Sequence, residues 1–216
     1  MNPYRAIVVG GTGAVGGALV RELGTSPLCG GVTSIGRRSV EGKGAKVTQR
    51  IVALEALQSV DASGHEVAFC TLGVGQPRKI PAAEHWKVDV ESATAFARAC
   101  RRDGVRHISL LTSVGADAGS RSRYLRVKGA VEKNYRELGF ERLSFFRPSL
   151  LVTPDIRCGL QDRISQIGFP LLSWAMPGRF HQIRVEDLGR AMRINAERDG
   201  HGVEILEYPD FVRLLQ

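Results

Sequence analysis

Tyr124 and Lys128 are the two residues of this chain whose types and spacing best suit chemistry. Because they lie four residues apart, their side chains share one face of a helix. A nearby ammonium group favours the phenolate form of a tyrosine, which makes that tyrosine a usable proton donor near neutral pH. Ser113 follows a predicted strand upstream, and its hydroxyl can hydrogen-bond a carbonyl or alcohol oxygen. A Tyr-x-x-x-Lys spacing also arises by chance, so the prediction of an acid–base site depends on the elements around it.

A glycine-rich turn near the start of the chain suits a phosphate-bearing ligand. Residues 6–9 are apolar and typical of a buried strand, and residues 18–23 have helical spacing. Gly10-x-x-Gly13-x-x-Gly16 lies between them. A helix N-terminus offers free N–H groups and partial positive charge, and glycines let a phosphate approach the backbone closely. The order strand, glycine turn, helix therefore predicts a dinucleotide-binding turn, and a glycine turn that binds nothing is the alternative.

The end of the second predicted strand carries two arginines. Residues 32–35 form this strand, and Gly36, Arg37 and Arg38 follow it. In the dinucleotide-binding fold this position meets the adenosine ribose, where a carboxylate would bind the 2′-hydroxyl of NAD. Guanidinium groups instead suit a phosphate, which they bind through charge-assisted bidentate hydrogen bonds. The pair favours NADP over NAD, unless both arginines are simply solvated in a loop.

Strands and helices alternate along most of the chain. Further strands are predicted at residues 47–54, 67–72, 106–111 and 142–146, and further helices at residues 54–60, 82–102 and 121–138. This alternation predicts a parallel sheet with helices on both faces. Gly73 and Gly75 follow the fourth strand, where small residues leave room for a cofactor, although a plain turn explains them almost as well.

The pattern loosens from residue 149 onward. A strand at residues 182–185, a helix at 186–197 and a last segment at 203–216 ending in a short helix are predicted. This part is too small for an independent core. We therefore predict one domain over residues 1–216, in which residues 149–216 form a small C-terminal cap over the carboxyl edge of the sheet, where substrate would be selected.

Composition excludes several classes of protein. The 216 residues include 43% hydrophobic residues, enough for a sizeable core, and carry a net charge of +8. Lysines and arginines are spread along the whole chain, so nucleic acid is a weak candidate partner and a polyanionic cofactor explains part of the charge. No signal peptide is expected, and the longest apolar stretches are too short to span a bilayer. We expect a cytoplasmic protein that does not enter a membrane.

Cysteines and histidines give no sign of a metal site. The four cysteines are widely scattered without a CxxC pair, which is typical of incidental thiols in a reducing compartment. The five histidines also lack the spacing of metal ligands, and the sequence predicts no role for them.

Taken together, several segments match one known family. They are Ile35-Gly-Arg-Arg38, Phe69-Cys-Thr-Leu-Gly73, Leu110-Leu-Thr-Ser-Val-Gly-Ala-Asp117, Tyr124-Leu-Arg-Val-Lys-Gly129 and Phe146-Arg-Pro148, together with the glycine turn. With these segments the chain resembles the short-chain dehydrogenase/reductase superfamily, and within it the atypical branch of HTATIP2-type oxidoreductases. The resemblance covers residues 4–152 well and the remainder loosely.

The resemblance implies a Rossmann-type α/β fold, a doubly wound parallel sheet, and a role for each site residue. Tyr124 would be the acid and base, Lys128 would hold the nicotinamide ribose, and Ser113 would orient the substrate oxygen. The residues expected to bind the cofactor are Gly10, Thr12, Gly13, Ala14, Val15, Gly16, Arg37, Arg38, Leu72, Gly73, Tyr124, Lys128 and Pro148.

Two positions depart from the pattern of that family. Many of its members carry an aspartate after the third strand, near the adenine, where this chain has Ala53. The asparagine that serves a proton relay on a helix has no clear counterpart, and Asp89 lies in about that region. These departures bear on turnover more than on cofactor binding.

Two functions follow from these predictions. The leading one is an NADP(H)-binding oxidoreductase that transfers hydride between nicotinamide and a carbonyl or alcohol substrate. The alternative is a regulatory module that senses NADPH and binds a partner protein, with little or no catalysis. The sequence identifies neither the substrate nor the oligomeric state.

Overall fold

The computed structural model describes residues 3–39, 44–153 and 178–216. Its strands are β1 (Tyr4–Val9), β2 (Cys29–Gly36), β3 (Val47–Ile51), β4 (Val67–Cys70), β5 (His107–Leu111), β6 (Arg142–Phe146), β7 (Leu151–Val152), β8 (Ile183–Arg184) and β9 (Gly202–Leu206). Within these ranges one seven-stranded parallel sheet has the order β3-β2-β1-β4-β5-β6-β9. The short strands β7 and β8 pair with each other in a separate parallel ladder.

Helices connect the strands. They are α1 (Ala14–Thr25), α2 (Ala82–Trp86), α3 (Ala93–Arg102), α4 (Arg123–Arg136), α5 (Val185–Glu197) and α6 (Tyr208–Leu215). Short 3₁₀ turns cover Leu54–Ser59, Pro77–Lys79 and Gly178–Phe180. A π-helical segment, Lys87–Ser92, joins α2 to α3, so the helix predicted over residues 82–102 forms with a widened turn in its middle.

Both faces of the sheet are covered by helices. On one face the buried core joins Phe96 of α3 and Val127 of α4 to the sheet. On the other face it joins Leu19 of α1, Met192 of α5 and Phe211 of α6. Because side chains of the central strands point into one core or the other, these strands need apolar residues at successive positions, as residues 6–9 show. The doubly wound Rossmann fold predicted from the sequence is confirmed.

The described C-terminal elements join these same layers. β9 pairs in parallel with β6 and extends the sheet, although the sequence analysis predicted no strand there. Helices α5 and α6 contribute to the core on the α1 face, where Leu188 and Phe211 find apolar partners. Residues 154–177 of the expected cap lie outside the described residues, so the cap stays a prediction. No helix of the described ranges has the length and apolar character to cross a bilayer.

A buried polar network closes the amino edge of the sheet. Arg142 donates to Glu204 at 2.8 Å and to Asn195 Oδ1 at 3.1 Å, and His107 Nε2 lies 2.7 Å from the Ser144 hydroxyl, which donates to Glu204 at 2.6 Å. Burial, with the charge of Arg142, lowers the pKa of His107 to about 3. Burial alone would raise the pKa of Glu204, but hydrogen bonds from Ser144 and Asn195 and the Arg142 charge lower it to about 2.

Candidate functional site

A cleft of about 740 Å³ lies at the carboxyl edge of the sheet, beside the ends of β1 and β4. The sheet order reverses at this point, because β2 flanks β1 on one side and β4 flanks it on the other. Ligands of open α/β sheets bind at such a switch point. The lining residues include Gly13, Ala14, Val15, Gly16, Thr71, Leu72, Gly73, Val74, Gly75, Thr112, Arg123, Tyr124, Lys128 and Leu151.

Two positions of the glycine turn require a glycine. Gly10 has a φ of +87°, and a Cβ there would lie 2.7 Å from the backbone of Thr71. A Cβ at Gly16 would lie 2.3 Å from the carbonyl oxygen of Gly10. The turn therefore packs tightly against the end of β4, which fixes where α1 begins.

The N-terminus of α1 is open to an anion. The helix begins after Gly13, no side chain caps it, and its first turn contains no acidic residue. The first N–H groups of a helix have no partner within the helix and carry partial positive charge. Since Gly13, Ala14, Val15 and Gly16 all line the cleft, these residues fit the diphosphate of a dinucleotide.

Helix α4 brings Tyr124 and Lys128 to the opposite side of the same cleft. The Lys128 ammonium nitrogen lies 5.8 Å from the centre of the Tyr124 ring and donates to Asp89 Oδ2 at 2.8 Å. The other carboxylate oxygen of Asp89 accepts the Val74 N–H at 3.0 Å. Burial alone would lower the pKa of Lys128, which is 7% exposed, but the charges of Asp89 and Tyr124 raise it above its ordinary value. Lys128 is therefore a cation at neutral pH.

Close packing and buried ion pairs hold α4 in this position. A Cβ at Gly129 would lie 2.1 Å from the Ala118 nitrogen, so α4 rests directly on the loop that follows β5. The buried Glu132 carboxylate accepts from Arg147 Nε at 2.9 Å and from the Thr112 hydroxyl at 2.7 Å. These contacts tie the helix to the ends of β5 and β6.

Ser113 lies at the expected strand end, but its hydroxyl does not face the cleft lining. The side chain is buried and donates a weak hydrogen bond to the Val114 carbonyl at 3.4 Å. The neighbouring Thr112 lines the cleft instead, and its hydroxyl is occupied by Glu132. The contact between Ser113 and a substrate stays a prediction.

Of the other residues expected to bind a cofactor, Leu72 and Gly73 line the cleft, whereas Thr12 and Pro148 are not among its lining residues, and their contact with a cofactor stays a prediction. A Cβ at Gly73 would lie 3.4 Å from the Lys128 ammonium nitrogen. Thr12 is half-buried, and its methyl group packs beside Gly36 at the end of β2. Pro148 is buried, and its carbonyl accepts the Val114 N–H at 3.0 Å.

Arg37 and Arg38 lie immediately after β2. Both side chains are exposed, and neither is among the residues that line the cleft. Residues 40–43, which follow them, lie outside the described ranges. The arginines therefore sit at the strand end where the sequence places the ribose of a dinucleotide, and their contact with a 2′-phosphate stays a prediction.

One residue of the site was missed by the sequence analysis. His85 is buried and stacks against the ring of Tyr124, with the ring centres 6.3 Å apart and the planes 13° apart. The sequence carried one relevant signal, since His85 lies four residues before Asp89 on a predicted helix. Without knowledge that this helix packs on α4, that spacing is indistinguishable from an ordinary core position.

The sequence of the whole chain is similar to that of a mammalian protein. Protein HTATIP2 of Rattus norvegicus is 35% identical over 215 residues, which cover 96% of this chain and 87% of the relative. The chain belongs to the HTATIP2 family of atypical short-chain dehydrogenases/reductases. No family model matches the sequence.

Solved structures share the fold of this HTATIP2-family chain. MoeE5 in complex with UDP-glucuronic acid and NAD has a TM-score of 0.74 and 20% identity, covering 94% of this chain and 76% of MoeE5. A short-chain dehydrogenase/reductase superfamily protein from Agrobacterium tumefaciens with bound NAD has a TM-score of 0.71 and 17% identity, covering 98% and 81% of the two chains. Both structures therefore share the Rossmann fold of this chain.

Family membership allows Asp89 and Ala53 to be compared with the residues expected at their positions. Ala53 directly precedes the 3₁₀ turn Leu54–Ser59, so this member of the HTATIP2 family has no carboxylate at the position expected near an adenine. Asp89 lies on the π-helical segment and contacts Lys128 directly. A charged carboxylate thus stands in the region where the resemblance leads us to expect a relay asparagine.

Proposed function

We propose that this protein is an NADP(H)-binding oxidoreductase that transfers hydride between nicotinamide and a carbonyl or alcohol substrate. One observation carries the proposal: a single cleft joins the uncapped, glycine-rich N-terminus of α1 to the Tyr124–Lys128 pair. The first part suits a diphosphate and the second suits proton transfer. Because both parts line the same cleft, one ligand can contact both.

Each residue of the cleft has a role in this reaction. The nicotinamide cofactor, when bound, supplies or accepts the hydride. Tyr124 donates a proton to the substrate oxygen during reduction and removes it during oxidation. Lys128 binds the nicotinamide ribose and, as a cation, stabilises the phenolate that proton donation leaves behind. Ser113 orients the substrate oxygen. To reach that oxygen, its hydroxyl must rotate away from the Val114 carbonyl.

Arg37 and Arg38 support NADP(H) over NAD(H). Their guanidinium groups are exposed at the end of β2, and no acidic residue stands between that strand and Ser39. A 2′-phosphate gains charge-assisted hydrogen bonds from such groups, whereas the 2′-hydroxyl of NAD gains less. A carbonyl or alcohol of unidentified structure and a location in the cytoplasm belong to the same proposal.

The burial of the Ser113 hydroxyl favours a second candidate function, that of an NADPH-sensing regulatory protein. Its hydroxyl is buried on the Val114 carbonyl, and the adjacent Thr112 hydroxyl is held by Glu132. If Ser113 never reaches the cleft, a cofactor can bind without an efficient means to orient a substrate oxygen. Binding would then report the NADPH level to a partner protein.

Turnover measured beside binding tests the proposal. Purified protein is screened against carbonyls with NADPH and alcohols with NADP⁺, and NADPH affinity is measured by fluorescence. Tyr124→Phe is expected to lose kcat by on the order of 10²–10⁴-fold, because the proton donor is gone, while keeping NADPH affinity. Tyr4→Phe is the matched control: it removes a phenol that donates to Glu197 at the amino edge, and turnover is expected to persist.

The outcomes separate the two candidates. Binding of NADPH without turnover of any substrate would favour the sensor. Equal turnover in Tyr124→Phe and the unchanged protein would remove Tyr124 as the acid, and failure to bind either NADPH or NADH would overturn both functions.

A further inference from the structure

His85 is an imidazole buried under the site without a hydrogen bond. Its exposure is 0%, and neither ring nitrogen has a hydrogen-bond partner. The described residues contain three buried side-chain atoms in this condition, and two of them belong to His85. Most buried polar groups are paired, and an unpaired one costs about 1–3 kcal/mol. A destabilisation of this size beside the candidate site calls for a functional explanation.

The ring of His85 stacks on Tyr124 and lies close to Asp89, the ion-pair partner of Lys128. It lies nearly parallel to the Tyr124 ring, and its Nε2 is 3.6 Å from Oδ2 of Asp89. That same oxygen accepts the Lys128 ammonium at 2.8 Å. His85 is thus one small side-chain movement from a hydrogen bond that would compete with Lys128 for Asp89.

The backbone around His85 and Asp89 is unusual. His85 lies next to the last residue of α2, Trp86, and Asp89 lies within the π-helical segment Lys87–Ser92. A single widened turn in a helix is rare and occurs frequently at functional sites. The irregular segment therefore coincides with the contact between α2, Asp89 and α4.

The charges around His85 keep it neutral in the folded protein. Burial lowers its pKa, the cations Lys128 and Arg123 lower it further, and Asp89 opposes them. Tyr124 contacts the ring from α4 as well. Protonation on acidification would place a second cation beside Lys128 and would give Asp89 a competing partner.

We propose that His85 is a positioning residue of this site, which as a neutral imidazole supports the Tyr124 ring and leaves Asp89 to Lys128, and which on protonation draws Asp89 away and disables the pair. The inference rests on the proposed function. Under this proposal, protonation of His85 causes the loss of carbonyl reduction at acidic pH. Tyr124 itself causes no such loss, because a tyrosine that donates a proton stays protonated as the pH falls.

The pH profile of carbonyl reduction tests this inference. In the unchanged protein, kcat is expected to fall about tenfold per pH unit at the acidic pH values that protonate His85. His85→Phe keeps a stacked ring without a titrating nitrogen, and its kcat is expected to change less than about twofold down to pH 5. His201→Phe, which replaces an exposed histidine, is expected to keep the acidic limb. Circular dichroism at each pH restricts the comparison to folded protein.

An NMR measurement detects the protonation of His85 without the need for turnover. The side-chain ¹⁵N signal of Lys128, assigned with Lys128→Arg, is followed during acidification of the NADPH complex. It is expected to shift with His85 protonation in the unchanged protein and to stay constant in His85→Phe. If the larger ring prevents folding, His85→Leu replaces that variant.

The outcomes distinguish this inference from the proposed function. If NADPH is oxidised by a carbonyl and His85→Phe keeps the acidic limb, or if the Lys128 signal titrates equally in both proteins, the role of His85 is refuted while the oxidoreductase stands. If no turnover occurs, the proposed function fails, and the inference fails with it unless the Lys128 signal still depends on His85.

Discussion

Polar residues at the two edges of the parallel sheet differ in how they are paired. At the amino edge, a cleft of about 500 Å³ is lined in part by Arg142, whose guanidinium pairs with Glu204. At the carboxyl edge, a cleft of about 740 Å³ borders an uncapped helix, and a histidine with two unpaired nitrogens lies beneath its tyrosine. Both edges contain a cleft, so the presence of a depression does not by itself distinguish them.

The carboxyl edge also holds buried ion pairs, Lys128–Asp89 and Arg147–Glu132, so the difference lies in the uncapped helix α1 and in His85, whose ring nitrogens have no hydrogen bond. Groups that are already paired contribute to the fold and offer little to a ligand, whereas helix N–H groups without an acceptor gain from one. We therefore expect substitutions at the amino edge to change the free energy of unfolding and substitutions at the carboxyl edge to change binding and turnover. The following predictions test that separation.

Glu204→Gln is expected to have the largest effect, and it acts on stability. Glu204 is partly exposed, but the Arg142 side chain is buried, and leaving its charge without the carboxylate costs about 3–5 kcal/mol. Denaturant unfolding measures this loss, and NADPH affinity is expected to stay unchanged. Glu141→Gln, an exposed residue of the same cleft, is the control and is expected to change stability by less than about 0.5 kcal/mol. A weaker NADPH affinity in Glu204→Gln would contradict the separation of the two edges.

His107 is expected to make the amino edge sensitive to acid. Its pKa is about 3 in the folded protein, so below the ordinary value of 6.5 the unfolded chain binds a proton that the native chain does not. Stability therefore falls as the pH falls, by roughly 3 kcal/mol from this group between pH 7 and pH 4. Unfolding at both pH values should show a smaller fall for His107→Asn. His201→Asn is the control, and an equal fall in all three proteins would refute the assignment.

Replacing Arg37 and Arg38 together by alanine tests the cofactor preference at the carboxyl edge. Charge-assisted hydrogen bonds are worth about 1.5–3 kcal/mol, so the Kd for NADPH is expected to rise about 10- to 100-fold while the Kd for NADH stays unchanged. Titration of both nucleotides measures this. The double variant Arg98→Ala and Arg190→Ala removes two exposed arginines from α3 and α5 as a control for net charge. A parallel loss for NADH would remove the role given to the two arginines.

Asp89→Asn tests the ion pair that maintains the charge of Lys128 at the carboxyl edge. The amide can still accept the Val74 N–H, but it no longer holds the Lys128 ammonium as an ion pair. Because burial then dominates, the pKa of Lys128 falls, and the basic limb of kcat/KM should move to lower pH with about a tenfold loss above it. Glu84→Gln on α2 is the control, since that side chain is exposed. An unmoved basic limb would mean that Asp89 does not maintain the charge of Lys128.

The sequence predicted what short-range patterns determine. The glycine turn, the Tyr124–Lys128 spacing and the alternation of strands with helices are each set by neighbouring residues, and the fold derived from them is correct. β9 was missed because its apolar residues do not mark a buried face: Val203 and Ile205 are exposed at the edge of the sheet. An edge strand can leave apolar residues in water at positions that a central strand would bury.

Contacts between distant segments could not be predicted in the same way. The Asp89–Lys128 ion pair joins residues 39 positions apart and depends on a widened turn for which the sequence gives no local signal. The burial of His85 depends on the same packing of α2 against α4. The position of Ser113 was predicted correctly, but its hydroxyl direction depends on a loop held by α4.

The missing side chain at Gly129 has a consequence for how the site can move. Since α4 rests on the loop backbone with no gap, the helix cannot slide along its axis unless residues 113–120 travel with it. Phenol, ammonium and serine therefore keep their mutual spacing as one mechanical unit, anchored to the strands rather than to the flexibility of any single segment. Any change in the width of the cleft must therefore come from elsewhere in the chain.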